Sequence, residues 1–255
     1  MLECAANLAC VGADPLGVTN NLNFGNPEKP HVAWQLSEAV RGLGEACRAL
    51  DVPVTGGNVS LYNEAAAGPI YPTPVIGMVG QLPDAARAGR LGFAREGDAV
   101  ALAGWNAAPS LGAGELAKLR GEPLPDALPE VDLARERDVL DAIRQAVRAG
   151  TLTSCHDVAE GGFLVAVAEA CLAGSVGATL DLGDSADPWC HLFGERPGGF
   201  VVSGPREALE ELAIPVDVFG MVGGEALELT IGGETTRWSH DDLSAAHGAL
   251  AKLFP

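Results

Sequence analysis

Small and apolar side chains recur in helical steps over the first eleven residues and stop at Gly12, with Pro15 just beyond. The pattern predicts an opening helix closed by a glycine. No capping residue precedes it, so the chain reads as one cut into a larger one. Residues 15–20 read as a short strand leading into a polar loop that runs to Glu28. Val32, Leu36, Val40, Leu43, Cys47 and Leu50 are spaced by three and four, which marks an amphipathic helix over 32–50. A strand over 53–61 is interrupted by Gly56 and Gly57, and the apolar run 74–79 predicts a strand buried on both faces.

From 82 to 97 the composition shifts to Pro, Ala, Arg and Gly, which places a domain boundary there and divides the chain into 1–85 and 86–255. A strand over 98–103 opens the second unit, and 120–130 is a proline-rich loop. A second amphipathic helix over 131–149 carries Leu133, Leu140, Ile143 and Val147 on one face, with Gly150 as its stop. Beyond it the pattern predicts a strand at 152–155, a helix at 162–172, and strands at 178–182 and 200–203. A helix near 206–212, two strands ending in a glycine pair and a last helix over 241–253 complete the chain. Alternating strands and helices argue for a layered α/β or α+β fold.

Composition narrows the classes. The 255 residues are 47% apolar and 20% charged, which excludes wholesale disorder. A net charge of −18 disfavours a nucleic-acid partner. A nucleotide remains compatible where Mg²⁺ or backbone N–H groups offset its phosphates. The six cysteines show no CxxC spacing, and Cys4, Cys10, Cys47 and Cys171 read as small buried hydrophobes. No run approaches the roughly 20 apolar residues of a membrane span, and no basic n-region precedes an apolar one. The expectation is a soluble cytoplasmic protein without a membrane partner.

The common signatures GxxxxGK(S/T), GxGxxG, HExxH and GxSxG are absent. Three segments carry the remaining chemistry. Residues 19–28 hold four asparagines, which suit either a tight turn or a ligand clamp. In 55–63 paired glycines precede Asn58 and Ser60, which share one strand face; the segment is either a glycine bulge or a metal or anion site. In 154–162 a strand runs into a helix N-terminus, where Asp157 either caps the helix or holds Mg²⁺. His156 beside it points away on an extended chain, against a direct His–Asp relay. Glu195, in Leu192-Phe193-Gly194-Glu195, reads as a weaker candidate or a plain exposed carboxylate.

These segments in this order resemble the C-terminal half of the phosphoribosylformylglycinamidine synthase family, within the aminoimidazole ribonucleotide synthetase-like superfamily. Asn7 through Gly12-Ala13-Asp14-Pro15 is similar to the DxxxxGAxP signature, with Asn7 in place of Asp. Asn21-Leu22-Asn23-Phe24-Gly25-Asn26-Pro27-Glu28 and Gly57-Asn58-Val59-Ser60-Leu61-Tyr62-Asn63-Glu64 are the more specific stretches. His156-Asp157, Gly161-Gly162 and Leu192-Phe193-Gly194-Glu195 follow at family-like distances.

The resemblance implies a partial barrel-forming domain over 1–85, lacking its first strands, followed by a three-layer α/β/α domain over 86–255. These would be the third and fourth of the family's four domains. The implied reaction is ATP-dependent conversion of formylglycinamide ribonucleotide and glutamine-derived ammonia to formylglycinamidine ribonucleotide in purine biosynthesis. Its cofactors are ATP and Mg²⁺. Its partners are an N-terminal half, which holds the catalytic residues, a glutaminase subunit and a small bridging subunit. By the same resemblance Asn20 and Gly57 contact ATP, Asn58 binds the metal and Ser60 touches the ribotide. His156, Asp157, Gly161, Gly162 and Glu195 form an auxiliary nucleotide site. At Glu195-Arg196-Pro197 relatives often carry serine after the glutamate, so this chain departs from the pattern there. Other kinases or synthetases of the superfamily, and a non-catalytic scaffold half, are the alternative readings.

Overall fold

In the computed structural model, which describes residues 1–105, 108–127 and 129–249, α1 (Leu2–Val11) buries Ala5, Ala6, Ala9 and Cys10. Gly12 closes it at a left-handed φ of 82°. The chain then forms β1 (Asp14–Asn23), α2 (Pro30–Leu50) and β2 (Val54–Ser60). A small hairpin, β3 (Glu64–Ala65) with β4 (Gly68–Pro69), leads to β5 (Thr73–Gln81). In this first sheet β1 is central, parallel to β2 and antiparallel to β5.

Two expectations need correction here. The first strand does not stop at Asn20. It continues through Asn23, because β2 and β5 pair with it on both sides and satisfy its backbone. Asn20, Asn21 and Asn23 are therefore strand residues. Nor is the 74–79 run buried on both faces: β5 is an edge strand, and Val75 and Val79 are 53% and 66% exposed. Helices cover only one face of this sheet. There Val18 packs with α1 and Leu50, and Leu22 packs with Val32, Leu36 and Leu43.

A short 3-10 turn (Ala85–Arg87) joins the first sheet to the second unit. That unit runs β6 (Ala99–Ala103), α3 (Glu115–Arg120), α4 (Leu133–Ala149), β7 (Ser154–Asp157) and α5 (Gly162–Gly174). It continues with β8 (Ala178–Asp181), α6 (Pro188–Phe193), β9 (Phe200–Gly204), α7 (Arg206–Glu210) and β10 (Val216–Val222). β11 (Ala226–Ile231), β12 (Glu234–Ser239) and α8 (His240–His247) end the described chain. The helix expected over 241–253 closes at His247 with Gly248 beyond it, and residues 250–253 of that expectation lie outside the described residues. α4 forms as its sequence requires: Asp132 accepts from the Ala134 and Arg135 amides, and Gly150 ends it.

The second sheet has seven strands in the order β12-β11-β8-β10-β6-β9-β7. Its centre is apolar on both sides. Ala99, Ala101 and Ala103 of β6 join a core with Ala9, Ile143 and Val147, while Val100 and Leu102 join Phe163, Val167 and Cys171 on the other face. Helices on both faces make three layers, as the resemblance implied. α1, from the first unit, packs on both α4 and β7. Residues on both sides of 85/86 thus share one core cluster.

All six cysteines are free thiols; Cys10 and Cys171 are buried, whereas Cys4 and Cys47 are only partly so. Among the described residues no helix is long and apolar enough to cross a membrane.

Candidate functional site

The two asparagine- and glycine-rich segments meet along the β1–β2 pair. Asn20 stands opposite Gly57, Asn21 opposite Asn58 and Asn23 opposite Ser60. Strand alternation puts Asn20 on the helix-covered face between Val18 and Leu22, and puts Asn21 and Asn23 on the open face. Asn58 belongs to the open face too, since its Nδ2 donates to Asn21 Oδ1 at 3.1 Å. The four expected site residues thus divide: Asn20 faces Gly57 on one side of the sheet, and Asn58 and Ser60 lie on the other. Asn20, Gly57 and Asn58 nevertheless share one shallow hollow, which Ser60 does not line.

Gly57 has a structural explanation. A Cβ there would lie 2.2 Å from the Asn20 backbone oxygen and 2.9 Å from its Oδ1, so the close approach of two strands already requires glycine. Gly56, by contrast, faces open space.

The loops following these strands are tied together. Ser60 Oγ donates to Asn63 Oδ1 at 3.2 Å, and Asn63 Nδ2 donates to the Phe24 and Ser60 carbonyls at 3.0 and 2.9 Å. The Tyr62 amide donates to the Gly25 carbonyl at 3.1 Å, with Tyr62 itself at a left-handed φ of 60°. Lys29 and Glu64 form an ion pair at 2.5 Å, which holds the Glu64 carboxyl below its ordinary pKa. A shallow hollow of about 520 Å³ lies over Thr19, Asn20, Asn21, Gly57, Asn58 and the neighbouring part of β5. Sequence reasoning missed Asn21 and Asn63 as individual site residues. Asn63 sits in the same motif as Ser60, which it holds, whereas Asn21 and Asn58 lie in different motifs and meet only through the β1–β2 pairing.

Asn58 Oδ1 is a donor available to a metal on this face, beside Asn23 Oδ1. Each is a single neutral oxygen, and the described residues contain no cluster of three or more His, Cys, Asp or Glu. The chain fits Mg²⁺ as one contributor among phosphate oxygens and waters, not as a complete cage.

A second group forms where β7 meets α5. The cap expected from Asp157 is not made: Gly161 occupies the N-cap position, and no side chain of its own caps the helix. Instead Glu195 Oε1 accepts from the Gly161 amide at 3.0 Å and from the Glu115 amide at 2.7 Å. Glu195 is therefore a bridge between α3 and α5, not a plain exposed carboxylate. The chain reaches it from thirty-four residues away, which no local pattern could reveal.

His156 and Asp157 do meet, with Nδ1 and Oδ1 3.4 Å apart, and His156 Nε2 lies 2.9 Å from Glu169 Oε2. Burial opposes charge on His156, but the hydrogen bonds to Asp157 and Glu169 prevail and raise its pKa above 6.5. Asp157 and Glu195 line a pocket of about 210 Å³ with Leu2, Glu3 and Arg196. Gly161 and Gly162 both adopt positive φ, 85° and 77°. A Cβ on Gly162 would strike the Phe193 backbone at 2.7 Å.

Residues 1–82 match the N-terminal domain, and residues 95–215 the C-terminal domain, of AIR synthase related protein. The chain belongs to the AIR synthase related family. Among curated relatives, the phosphoribosylformylglycinamidine synthase subunit PurL of Synechococcus sp. (strain JA-3-3Ab) is 49% identical across 97% of this chain and 33% of its own length. PurL of Moorella thermoacetica is 45% identical across 91% of this chain and 33% of its own. The chain therefore spans about a third of the length of these relatives.

Within solved structures of AIR synthase related fold, Thermotoga maritima PurL complexed with FGAR superposes with a TM-score of 0.73, covering 95% of this chain and 42% of that one at 17% identity. Hydrogenase maturation protein HypE in complex with ATP superposes at 0.70, covering 94% and 77% at 15% identity. These likenesses establish the fold.

Proposed function

We propose that this chain is a segment of the ATP-dependent synthetase that converts formylglycinamide ribonucleotide, ammonia and ATP to formylglycinamidine ribonucleotide, ADP and phosphate in purine biosynthesis. The observation that carries the reading is the joined pair of segments 21–28 and 57–64, whose asparagines hold one another across β1 and β2. Close likeness to PurL subunits along nearly the whole chain supports it.

In the reaction the formyl amide oxygen attacks the γ-phosphorus of ATP and ADP leaves. Ammonia then adds to the activated carbon, and phosphate departs with the oxygen. Mg²⁺, when bound, neutralises phosphate charge during transfer. In this reading Asn20 and Gly57 contact ATP, Asn58 offers its Oδ1 to the metal and Ser60 contacts the ribotide. The nucleotide approaches at β2, the edge strand from which both faces of the sheet are within reach. Asn21 and Asn63 act on the ligands only through the side chains they hold.

In this reading His156, Asp157, Gly161, Gly162 and Glu195 belong to an auxiliary nucleotide site, of which Asp157 and Glu195 line the pocket beside α1 and His156, Gly161 and Gly162 do not. The catalytic residues, the glutaminase and the bridging subunit belong to the rest of a cytoplasmic assembly.

The test is a chimera in which this chain replaces the matching third of the Synechococcus relative. Ribotide- and ammonia-dependent ADP formation is expected from the chimera and absent from the 255-residue chain alone. A folded chimera without turnover, or ribotide-dependent ADP formation by the chain alone, overturns the proposal.

A further inference from the structure

Four of the chain's 16 basic residues line one cavity of about 450 Å³, at the connection between the two sheets and the end of α4. They are Arg87, Arg90, Arg95 and Arg148, and no carboxylate lines the cavity among the described residues. The rest of the wall is mostly alanine and glycine, with Val147, Leu152 and Thr153. In a chain of net charge −18 this concentration of one sign requires an explanation.

Two of the four are structural. Arg148 donates Nε to the Gly12 carbonyl at 2.7 Å and sets Nη2 2.8 Å from Asp14 Oδ2, while Arg87 donates Nη1 to the Arg148 carbonyl at 2.9 Å. Arg87 keeps one loose carboxylate neighbour, Asp84 at 3.8 Å. Arg90 and Arg95 make no ion pair among the described residues, and both side chains reach solvent. The α4 C-terminus contributes only about half a negative charge, less than any one of these guanidinium groups. Overall repulsion from the acidic surface is screened beyond about 8 Å at physiological salt. Asp98 accepts from the Thr153 hydroxyl of the lining at 2.6 Å, and the positive charge left without a carboxylate partner among the described residues is that of Arg90 and Arg95.

We propose that this cavity is a binding site for a phosphate-bearing anion, recognised through its phosphates by Arg90 and Arg95 with Arg87 at the rim. Guanidinium forks match phosphate oxygens in pairs, and two unpaired forks over a small-residue floor provide that match. The site is separate from the asparagine face of the first sheet and from the pocket beside α1, with which it shares no lining residue.

The experiment is isothermal titration calorimetry of the 255-residue chain with tripolyphosphate, ATP and adenosine, in EDTA to remove divalent ions. Tripolyphosphate and ATP are expected to bind with similar affinity and adenosine not at all. The double variant Arg90→Ala, Arg95→Ala, checked for native circular dichroism, is expected to lose about tenfold or more, the loss of a charge-assisted hydrogen bond or two. Arg90→Lys with Arg95→Lys is expected to retain an intermediate affinity, and Arg41→Ala, which removes a basic side chain of α2 outside the cavity, to bind as the parent does. No binding of tripolyphosphate, unchanged affinity in the double alanine variant, or binding that requires adenosine each overturns the assignment. ATP binding abolished by Asn58→Ala would place the ligand on the asparagine face instead.

Discussion

The Glu195 carboxylate and the Gly161 amide are joined at 3.0 Å, so the start of α5 is held by a residue from the far side of β8 and α6. The same oxygen accepts the Glu115 amide at 2.7 Å, and one anion thereby satisfies the first turns of two helices. Glycine at 161 and 162 is part of the arrangement, because the backbone there runs at positive φ and close to Phe193.

Replacing Glu195 by alanine leaves both amides without that partner. A hydrogen bond to a charged group contributes about 1.5–3 kcal/mol, and exposure near α3 puts the expected loss toward the lower end. Urea denaturation is expected to show that loss for Glu195→Ala, with a smaller one for Glu195→Gln, which keeps an acceptor. Equal stability of Glu195→Ala and the parent would show the bridge to be inert.

The contrast between Glu195 and α4 shows how much the sequence exposes. α4 has a periodic apolar face and a Gly150 stop, and the helix read over 131–149 forms over Leu133–Ala149, with Asp132 as its cap and not within it. The asparagine motifs stood out in the sequence for the same reason: they are contiguous. What escaped depends on distant chain. The open face of β5 follows from helices covering only one side of its sheet, and the cap of α5 comes from Glu195. The short α3, α6, β3 and β4 contain two to six residues each, too few for a period to show.

The two glycines of β2 should respond differently to alanine. At Gly57 the new methyl would overlap the Asn20 backbone, which cannot move without parting β1 from β2. Overpacking of this kind costs about 1–3 kcal/mol. At Gly56 nothing lies within 4 Å, so Gly56→Ala is expected to leave stability within about 0.5 kcal/mol of the parent. Thermal melts of both variants decide it, and equal effects would contradict the strand-approach explanation of Gly57.

His156 makes stability depend on pH. Its folded pKa lies above 6.5, so the stabilisation from its contacts with Asp157 and Glu169 is fully present below pH 6.5 and is lost as pH rises through the folded value. His247 also faces Glu169, at 3.8 Å, and competes for it when protonated. The melting-temperature gap between the parent and His156→Gln is therefore expected to be wide at about pH 5.5 and narrow at about pH 8.5. The opposite trend would show that burial, not the carboxylates, governs this histidine.

In the assembled synthetase, Asn58→Ala is expected to impair use of Mg-ATP more than Ser60→Ala, which should chiefly raise the KM for the ribotide. The residues lie two apart on the open face of β2, yet their neighbours differ. Asn58 spends its Nδ2 on Asn21 and leaves Oδ1 for a ligand, whereas the Ser60 hydroxyl is held by Asn63 at the loop. Loss of one neutral oxygen from a metal site completed by phosphates and water weakens it without abolishing binding. A lost hydrogen bond to a charged ligand corresponds to about 10- to 150-fold. Asn21→Ala provides the control: it frees the Asn58 amide to rotate, so a smaller defect in the same Mg-ATP parameter is expected, with the ribotide KM unchanged. Steady-state kinetics with Mg²⁺, ATP and ribotide varied separately distinguish these outcomes. If Asn58→Ala folds normally and leaves the Mg²⁺ and ATP dependence unaltered, the metal role fails, and the Asn21–Asn58 contact is then a strand clasp alone.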